Sequence, residues 1–335
     1  MTALEAIAHS IPAQTLTNAG LRANYPAWDF DQLEKAAGVF SRRVCAENET
    51  ALDFVVRACE QLDSQRRLRP NEIDAVIFCT QSADYIMPPN SCILHGKLQL
   101  KTEVMAFDIN LGCSGYMYGL QVADSLIKSG TANRVLLATA DTSTRFIHPG
   151  DRATRCLFGD GGAVSILTRS ENGRGIRDIR CGTAGKYYKR VMVPSGGMRQ
   201  RRTAETAREM TDESGNVRTE ENLAMDGLGV LSFFNSTIPG AVRTILELNQ
   251  LSVDDIDVFV FHQASLVALD TLRRILKVPE EKMIYDLADI GNLSSSSIPV
   301  ALSRAFESGK TKLGQLALLC GFGQGLSWGT AVVDL

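Results

Sequence analysis

The chain has 335 residues, of which 44% are hydrophobic and 22% are charged, a composition typical of a globular protein large enough for about two packing units. Its formal net charge is −3 and it has no block of basic residues, which argues against nucleic acid or an anionic membrane as its partner. No apolar run reaches the roughly 18 residues that span a membrane, and the N-terminus lacks a signal-peptide pattern, so we expect a cytoplasmic protein.

The predicted elements alternate between helices and strands. Thr50 and Asp53 have the spacing of a capping box at the start of a helix. Short apolar runs predict strands buried on both faces, and apolar residues at helical spacing predict the helices between them. In the first half these patterns predict, in order, a helix from Thr50, strands at 73–79 and 104–109, a helix that includes 116–127, and strands at 134–140 and 163–168.

After residue 170 the sequence becomes polar, and the segment 199–221 is dense in charge and poor in large apolar side chains. Such a segment is typical of a solvated excursion or flap. Helical and strand patterns then resume. They predict a helix at 231–248, a strand at 256–261, a helix at 265–276, a strand at 283–286, a helix at 296–306 and two terminal strands.

Two segments of the first half recur in the second half in the same order. Residues 73–78 match residues 256–261, and residues 110–120 match residues 292–302, at nearly equal separations. Chance is the alternative, since any two strand–helix units look alike. The shared order and spacing favour an internal duplication, in which corresponding helix starts face one pocket.

The eight cysteines are scattered through the chain, and none forms a CxxC pair. This pattern predicts no zinc or thioredoxin-type site, and we expect six or seven of the eight to be small buried hydrophobes. Cys113 is the exception, because it follows a predicted strand and opens a predicted helix between Gly112 and Gly115. The helix dipole and free backbone N–H groups stabilise a thiolate there, which predicts a nucleophile. A tight turn that tolerates cysteine is the alternative.

Two further residues fit a site with Cys113. His262 directly follows a predicted strand, where open α/β sheets bind ligands, although a hydrogen-bonded core histidine is the alternative. Asn292 precedes a predicted helix, where a helix cap is the alternative, but the duplication places it opposite the Cys113 turn.

These three groups make chemical sense together. A thiolate accepts an acyl group as a thioester, and a neutral imidazole and an amide donate hydrogen bonds to an enolate oxygen. The set therefore suits acyl transfer to a carbon nucleophile better than hydrolysis. The glycine-rich segment 321–325 could bring backbone N–H groups to the thioester oxygen, and no Lys-Ser/Thr follows it as in a phosphate loop.

The chain resembles the β-ketoacyl-acyl carrier protein synthase III family of the thiolase superfamily. The resemblance extends over nearly the whole chain, and five motifs in order carry it: 111–115 (LGCSG), 158–163 (FGDGGA), 262–264 (HQA), 291–299 (GNLSSSSIP) and 321–329 (GFGQGLSWG). It implies an α/β protein with a five-layered αβαβα fold, built from two duplicated thiolase-like halves and forming a homodimer. We assign the halves to residues 1–170, with the nucleophile, and 171–335, with the histidine, the asparagine and the charged excursion.

The resemblance also implies roles for the site residues. Cys113 would be acylated by a primer thioester of coenzyme A or an acyl carrier protein. His262 and Asn292 would promote decarboxylation of malonyl-acyl carrier protein and stabilise the carbanion equivalent that attacks the acyl group. The backbone N–H groups of Cys113 and Gln324 would form the oxyanion hole. No metal and no cofactor other than these substrates is implied.

The sequence departs from the family at coenzyme- and carrier-binding positions. Gln32 and Ala36 stand where members that use acetyl-coenzyme A have Trp and Arg, although Arg152 matches a further coenzyme-binding position. Val267 replaces an arginine that aids docking of the carrier protein. The arginines at 273–274 could take the role of this missing arginine.

Positions near the acyl group also differ. Met87 stands where the family often has the Phe that limits the acyl pocket, and its flexible side chain could admit a longer or branched chain. Gln324 stands where Gly is common and could narrow the pocket. Gln263, next to the catalytic histidine, is predicted to bind substrate. These departures favour a specialised pathway over the housekeeping initiator of fatty acid synthesis.

The leading hypothesis is a decarboxylative Claisen condensation in fatty acid or polyketide-type biosynthesis. An alternative keeps the acyl-Cys113 step but moves the acyl group to an oxygen, a nitrogen or another carbon acceptor. A third alternative is an inactive partner subunit, against which the presence of Cys113, His262 and Asn292 together argues.

Overall fold

The computed structural model describes all 335 residues and contains fifteen β-strands and nine α-helices. The strands are β1 (Thr2–Ser10), β2 (Thr15–Thr17), β3 (Ser41–Arg43), β4 (Ala75–Cys79), β5 (Met105–Ile109), β6 (Arg134–Asp141), β7 (Gly161–Arg169), β8 (Ile176–Thr183), β9 (Val191–Met192), β10 (Met210–Thr211), β11 (Val217–Arg218), β12 (Ala224–Met225), β13 (Val258–Phe261), β14 (Leu316–Gly323) and β15 (Ser327–Asp334). The helices are α1 (Asn18–Asn24), α2 (Phe30–Ala37), α3 (Ala51–Ser64), α4 (Asn90–Lys97), α5 (Gly115–Lys128), α6 (Arg152–Arg155), α7 (Gly227–Leu248), α8 (Leu266–Leu276) and α9 (Ser297–Glu307).

Two large sheets share one topology, as the predicted duplication requires. The first has the strand order β1-β7-β6-β4-β5, and the second has the order β8-β15-β14-β13. In both, the first two pairs of neighbours are antiparallel and the next pair is parallel. The loop 170–175, between β7 and β8, connects the two sheets.

The fifth strand of the second sheet is missing, so the predicted strand at 283–286 is wrong. Met283 forms only an isolated bridge with Phe259. The reason is the Gln263 side chain, whose Nε2 donates to the carbonyl of Ile284 (3.1 Å) and whose Oε1 accepts from the N–H of Asp286 (2.7 Å). These backbone groups are satisfied by a side chain instead of a strand ladder.

The helices and sheets form five layers, as the resemblance implies. Alternate residues of β4 point to opposite faces of the first sheet. Val76 and Phe78 pack with α3 and α4, whereas Ile77 and Cys79 pack with α5 and α9, which lie between the two sheets. The outer face of the second sheet packs against α7 and α8.

Helix starts follow the local sequence. The predicted capping box at Thr50 and Asp53 is present at the start of α3. Helix α7 begins at Gly227, before the predicted residue 231, because the Asp226 side chain accepts from the N–H of Gly229 and caps it. None of the nine helices is both long and apolar enough to cross a membrane.

The charged segment 199–221 is mostly exposed, as predicted, but it is anchored to the loop before α6. Its short hairpin, β10 and β11, places Val217 where its N–H donates to Gly150 (3.0 Å). The guanidinium of Arg218 lies 3.5 Å from the buried carboxylate of Asp151. The segment therefore covers the helix that carries Arg152.

All eight cysteines are free thiols. Five are buried, Cys45 and Cys181 are half-buried, and Cys92 is exposed. The predicted number of buried cysteines, six or seven, is therefore too high.

Candidate active site

One cavity of about 300 Å³ brings the predicted catalytic residues together. Cys113, His262 and Asn292 all line it. Its rim is formed by four exposed small or apolar residues, one from each of α2, α6, α7 and the start of α8: Ala36, Ala153, Gly227 and Val267. The inner wall is mostly apolar, with Phe234 and Phe322 among its largest side chains.

Cys113 lies in the turn between β5 and α5, two residues before the helix begins. Its side chain packs directly against β14, because a Cβ on Gly323 would overlap with the Cβ of Cys113. The hydroxyl of Ser114 is 2.7 Å from that of Ser327 and ties the same turn to β15. The glycine-rich segment therefore lets the backbone of the second half approach the nucleophile.

Burial raises the pKa of the Cys113 thiol to about 11, and the charge of Asp141 adds to this rise. The backbone N–H groups of Gln324 and Cys113 and the hydroxyl of Ser294 act in the opposite direction. The expectation of an acidic thiol is thus wrong for the free protein, because loss of solvation outweighs the helix dipole. The two N–H groups are those predicted to form the oxyanion hole.

His262 is buried at the end of β13, and burial lowers its pKa to about 3. Its Nδ1 has no hydrogen-bond partner, and the ring packs edge-on against Phe322 at a centroid distance of 5.5 Å. No carboxylate stabilises an imidazolium here, so the ring is neutral at physiological pH, as predicted.

The amide of Asn292 is oriented by its neighbours. Its Oδ1 accepts from the N–H of Ser294 (2.9 Å) and from the hydroxyl of Ser297 (3.4 Å). Its Nδ2 has only a long contact of 3.4 Å with the carbonyl of Ala264. The N–H₂ group is therefore the end of the amide that remains available to a ligand.

The FGDGG motif holds this side of the site in place. The backbone of Asn292 pairs with Leu157 and Gly159, and a Cβ on Gly159 would overlap with the carbonyl of Ile290. The buried Asp160 of the same motif accepts from the N–H of Thr144 (3.0 Å). This hydrogen bond joins the motif to the loop that follows β6.

The residues predicted to bind substrate differ in where they lie relative to the cavity. Gln263 binds the backbone of 284–286 and does not line the cavity, so its prediction as a substrate-binding residue is wrong. Met87 is 77% exposed and does not line this chain's cavity, so it is no wall of that cavity within one chain. Arg152 lies beside the rim residue Ala153, and its guanidinium donates to Ser214 (3.2 Å).

Sequence reasoning missed one group that supports the site. Asp141 is buried at the end of β6, and its Oδ2 accepts from both the N–H (3.1 Å) and the hydroxyl (2.6 Å) of Ser295. A polar residue at the end of an apolar strand is a signal that could have found Asp141, the same one that identifies His262. No group of three or more potential metal ligands is present.

Comparisons with known proteins agree with this architecture. The model of the 3-oxoacyl-[acyl-carrier-protein] synthase III family matches residues 107–185, and the model of its C-terminal part matches residues 246–335. The β-ketoacyl-[acyl-carrier-protein] synthase III of Fusobacterium nucleatum is 31% identical over 331 residues, which are 98% of this chain and 97% of that protein.

Solved structures extend the comparison. A 3-oxoacyl-(acyl-carrier-protein) synthase III is 39% identical with a TM-score of 0.96, covering 100% of this chain and 99% of that one. The priming β-ketosynthase of a polyketide pathway is 28% identical with a TM-score of 0.87, covering 100% and 96%. With the fold, the cavity and the matched residues in agreement, the chain belongs to the β-ketoacyl-[acyl-carrier-protein] synthase III family.

Proposed function

We propose that this protein is a condensing enzyme that joins an acyl primer to malonyl-acyl carrier protein by a decarboxylative Claisen reaction. The observation that carries the proposal is the single apolar cavity in which Cys113 from one half meets His262 and Asn292 from the other. The primer is an acyl thioester of coenzyme A or a carrier protein, and no further cofactor takes part. These substrates imply a reaction in the cytoplasm.

The first step loads the primer. The sulfur of Cys113 attacks the thioester carbonyl, and the oxyanion accepts hydrogen bonds from the backbone N–H groups of Cys113 and Gln324. The C–S bond of the donor breaks, and the donor thiol leaves with the proton that the Cys113 thiol gives up. Because the pKa of the free thiol is about 11, that proton is lost as attack proceeds and not beforehand.

The second step forms the carbon–carbon bond. Malonyl-acyl carrier protein loses CO₂, and the enolate oxygen that develops accepts hydrogen bonds from the neutral imidazole of His262 and the amide of Asn292. The enolate carbon attacks the acyl carbonyl on Cys113, and the Cys113 sulfur leaves. A histidine with a pKa of about 3 serves as a donor here and is a poor general base for water.

We also propose a homodimer. Strand β5 is the outer strand of the first sheet, and its Met105 is 41% exposed. The loop before α4 exposes Tyr85, Ile86 and Met87, and the N-terminus of α4 is bonded to Asp108 of β5. A second copy would cover this apolar edge. Light scattering should give twice the chain mass of 36.5 kDa.

Two measurements on one reaction test the function. The protein is incubated with a panel of acyl-coenzyme A and acyl-carrier protein donors, its intact mass is measured, and malonyl-acyl carrier protein is then added. We expect an acyl adduct on Cys113, followed by its loss with one CO₂ per turnover. Acylation without CO₂ release would favour an oxygen, nitrogen or other carbon acceptor, and no adduct from any donor would favour an inactive subunit.

A further inference from the structure

The segment 186–202 is strongly basic in a protein whose formal net charge is −3. It contains no aspartate and no glutamate. Its six basic residues form two groups, at 186–190 and at 199–202: Lys186, Lys189, Arg190, Arg199, Arg201 and Arg202. A concentration of one sign of charge attracts a partner of the opposite sign and speeds its association.

Most of these cations have no carboxylate partner within the protein. Only Arg190 and Arg202 have a carboxylate nearby, at 3.9 Å and 3.5 Å. The other four form no ion pair, and all four are exposed. The ammonium groups of Lys186 and Lys189 lie over the rings of neighbouring tyrosines, contacts that leave their charge uncompensated. The segment therefore presents uncompensated positive charge to solvent.

The first group of cations lies beside the mouth of the active-site cavity. Val191 directly follows this group and lines the cavity. The carbonyl of Arg190 accepts from the N–H of Asp226 (2.7 Å), and its guanidinium donates to the carbonyl of Gly229. These two partners lie on either side of the exposed rim residue Gly227, at the start of α7. The positive segment therefore adjoins the opening through which a substrate reaches the nucleophile.

The arginines at 273–274 are less suited to attract an anionic partner. Arg273 and Arg274 lie 3.4 Å and 3.7 Å from the carboxylate of Asp270 on the same helix. Their charge is thus partly compensated within the protein. The residue of α8 that reaches the rim is the uncharged Val267. An anionic partner at the mouth would gain more from the four free cations of the segment 186–202.

We propose that the segment 186–202 is a docking surface for the acyl carrier protein, which contacts it through an acidic face beside its phosphopantetheine arm. The inference rests on the proposed function, in which malonyl-acyl carrier protein delivers the second substrate. Cys113 is only 7% exposed, so the thioester must enter on the arm while the carrier stays outside. The phosphodiester at the base of the arm is itself anionic and stays at the mouth. Attraction between the two surfaces lowers the KM for the carrier.

The test compares a substrate on the carrier protein with a small one. The acylated enzyme is supplied with malonyl-acyl carrier protein or with malonyl-N-acetylcysteamine, which has the same malonyl group without the protein or the phosphodiester. The rate of CO₂ release gives kcat and KM for each. One variant combines Lys186→Gln with Lys189→Gln, and a second combines Arg199→Gln with Arg201→Gln.

The matched control combines Lys310→Gln with Lys312→Gln. Both lysines are exposed in the loop between α9 and β14, form no ion pair and do not line the cavity. The control should keep the wild-type KM for the carrier. Any rise in KM that it shares with the site variants would reflect the net charge of the protein and would overturn the docking surface.

In the variant of Lys186 and Lys189 we expect the KM for malonyl-acyl carrier protein to rise about 5- to 20-fold with little change in kcat, because surface charges act on encounter and not on chemistry. The KM for the small substrate should change less than about twofold. Reversing the charges, with Lys186→Glu and Lys189→Glu, should raise the KM for the carrier further, which a packing defect does not predict. Added salt should weaken the wild-type preference for the carrier.

An unchanged KM for the carrier in the variant of Lys186 and Lys189 overturns the docking surface and leaves the proposed function standing, because CO₂ is still released. An equal rise for both malonyl substrates also overturns it, as does a wild-type preference that salt does not change. Acylation from acyl-coenzyme A that slows as much as turnover with the carrier overturns it too, since the cations would then bind coenzyme phosphates. Absence of CO₂ release from both malonyl substrates in the wild type overturns the proposed function itself.

Discussion

The turn that carries Cys113 and its counterpart in the second half occupy equivalent places in two similar sheets, yet they are built differently. The first, 110–115, contains two glycines and presents its sulfur to backbone N–H groups in an apolar cavity. The second, 292–297, contains four serines, all buried. Duplication thus provided two helix starts at one cavity, and the sequences then diverged in what they present there.

The serines of the second turn hold it to the first half. The hydroxyl of Ser295 donates to Asp141 (2.6 Å), and that of Ser296 donates to Thr139 (3.1 Å), both on β6. Ser294 and Ser297 donate to Oδ1 of Asn292. One turn presents a reactive atom, and the other fixes an amide. The difference predicts that substitutions in the two turns affect different steps.

The largest effect should come from removing the reactive atom of the first turn. In Cys113→Ser the hydroxyl is a far weaker nucleophile and no base is present to activate it, since the pKa of His262 is about 3. We expect acyl-enzyme formation to fall at least about ten-thousandfold, measured by intact mass after incubation with an acyl donor.

Cys320→Ser is an unsuitable control because Cys320 is fully buried, so Cys92→Ser, at an exposed position, is the matched variant. It should acylate at the wild-type rate. Persistent adduct formation in Cys113→Ser would place the nucleophile elsewhere.

The second turn should act at the second step. Asn292→Ala removes one of two donors to the enolate oxygen, and we expect condensation to slow by about a hundredfold to a thousandfold. Acylation of Cys113 should remain largely intact. Single-turnover measurements of adduct formation and of CO₂ release separate the two steps. Equal loss of both would contradict the division of roles between the turns.

Features that depend on local pattern can be predicted from the sequence. Apolar runs identify seven of the nine strands of the two large sheets but not β1 or β8, and a polar residue at a strand end identifies His262. Internal repetition of the sequence places Asn292 opposite Cys113. These features are predictable because strand ends and helix starts of equivalent units converge in an α/β protein.

Features that depend on contacts between distant residues escape such prediction. The raised pKa of Cys113 follows from how deeply the second half buries the turn, which a helix-start pattern does not report. The position of Gln263 after His262 suggests a substrate contact. Its side chain instead binds the backbone at Asp286, where a strand ladder is missing. The family pattern suggests a cavity wall at Met87, but this side chain is exposed and does not line the cavity of its own chain.

The protonation state of the first turn can be tested through its reactivity. With a pKa of about 11, Cys113 is a thiol at neutral pH, with about one thiolate in ten thousand. Its alkylation by iodoacetamide should therefore rise about tenfold per pH unit, or about a hundredfold from pH 7 to pH 9. The rate is followed by peptide mass mapping in the Cys92→Ser background, which removes the exposed thiol.

A rate that stays constant from pH 7 to pH 9 would show a thiolate already formed at neutral pH. In that case the N–H groups of Cys113 and Gln324 would outweigh burial, and the nucleophile turn would resemble the acidic site that the sequence suggests. The pH profile therefore separates the two effects that compete at this sulfur.

The smallest effect should come from loosening the contact between the second turn and β6. Ser295→Ala removes the hydroxyl that donates to Asp141, a buried carboxylate whose pKa is already raised by burial. Loss of a hydrogen bond to a buried charge should lower the free energy of unfolding by about 1 to 3 kcal/mol at neutral pH, measured by urea denaturation.

The pH dependence distinguishes this tie from a general packing defect. Without the Ser295 hydroxyl, the pKa of folded Asp141 rises further, so the stability loss is present at neutral pH and shrinks as acid protonates the carboxyl in both states. Ser236→Ala, on α7, removes a hydroxyl bonded only to a carbonyl of its own helix and should cost less than about 0.5 kcal/mol at any pH. A loss in Ser295→Ala that is the same at low and neutral pH would mean that the serines of the second turn fill space and do not hold Asp141 through its charge.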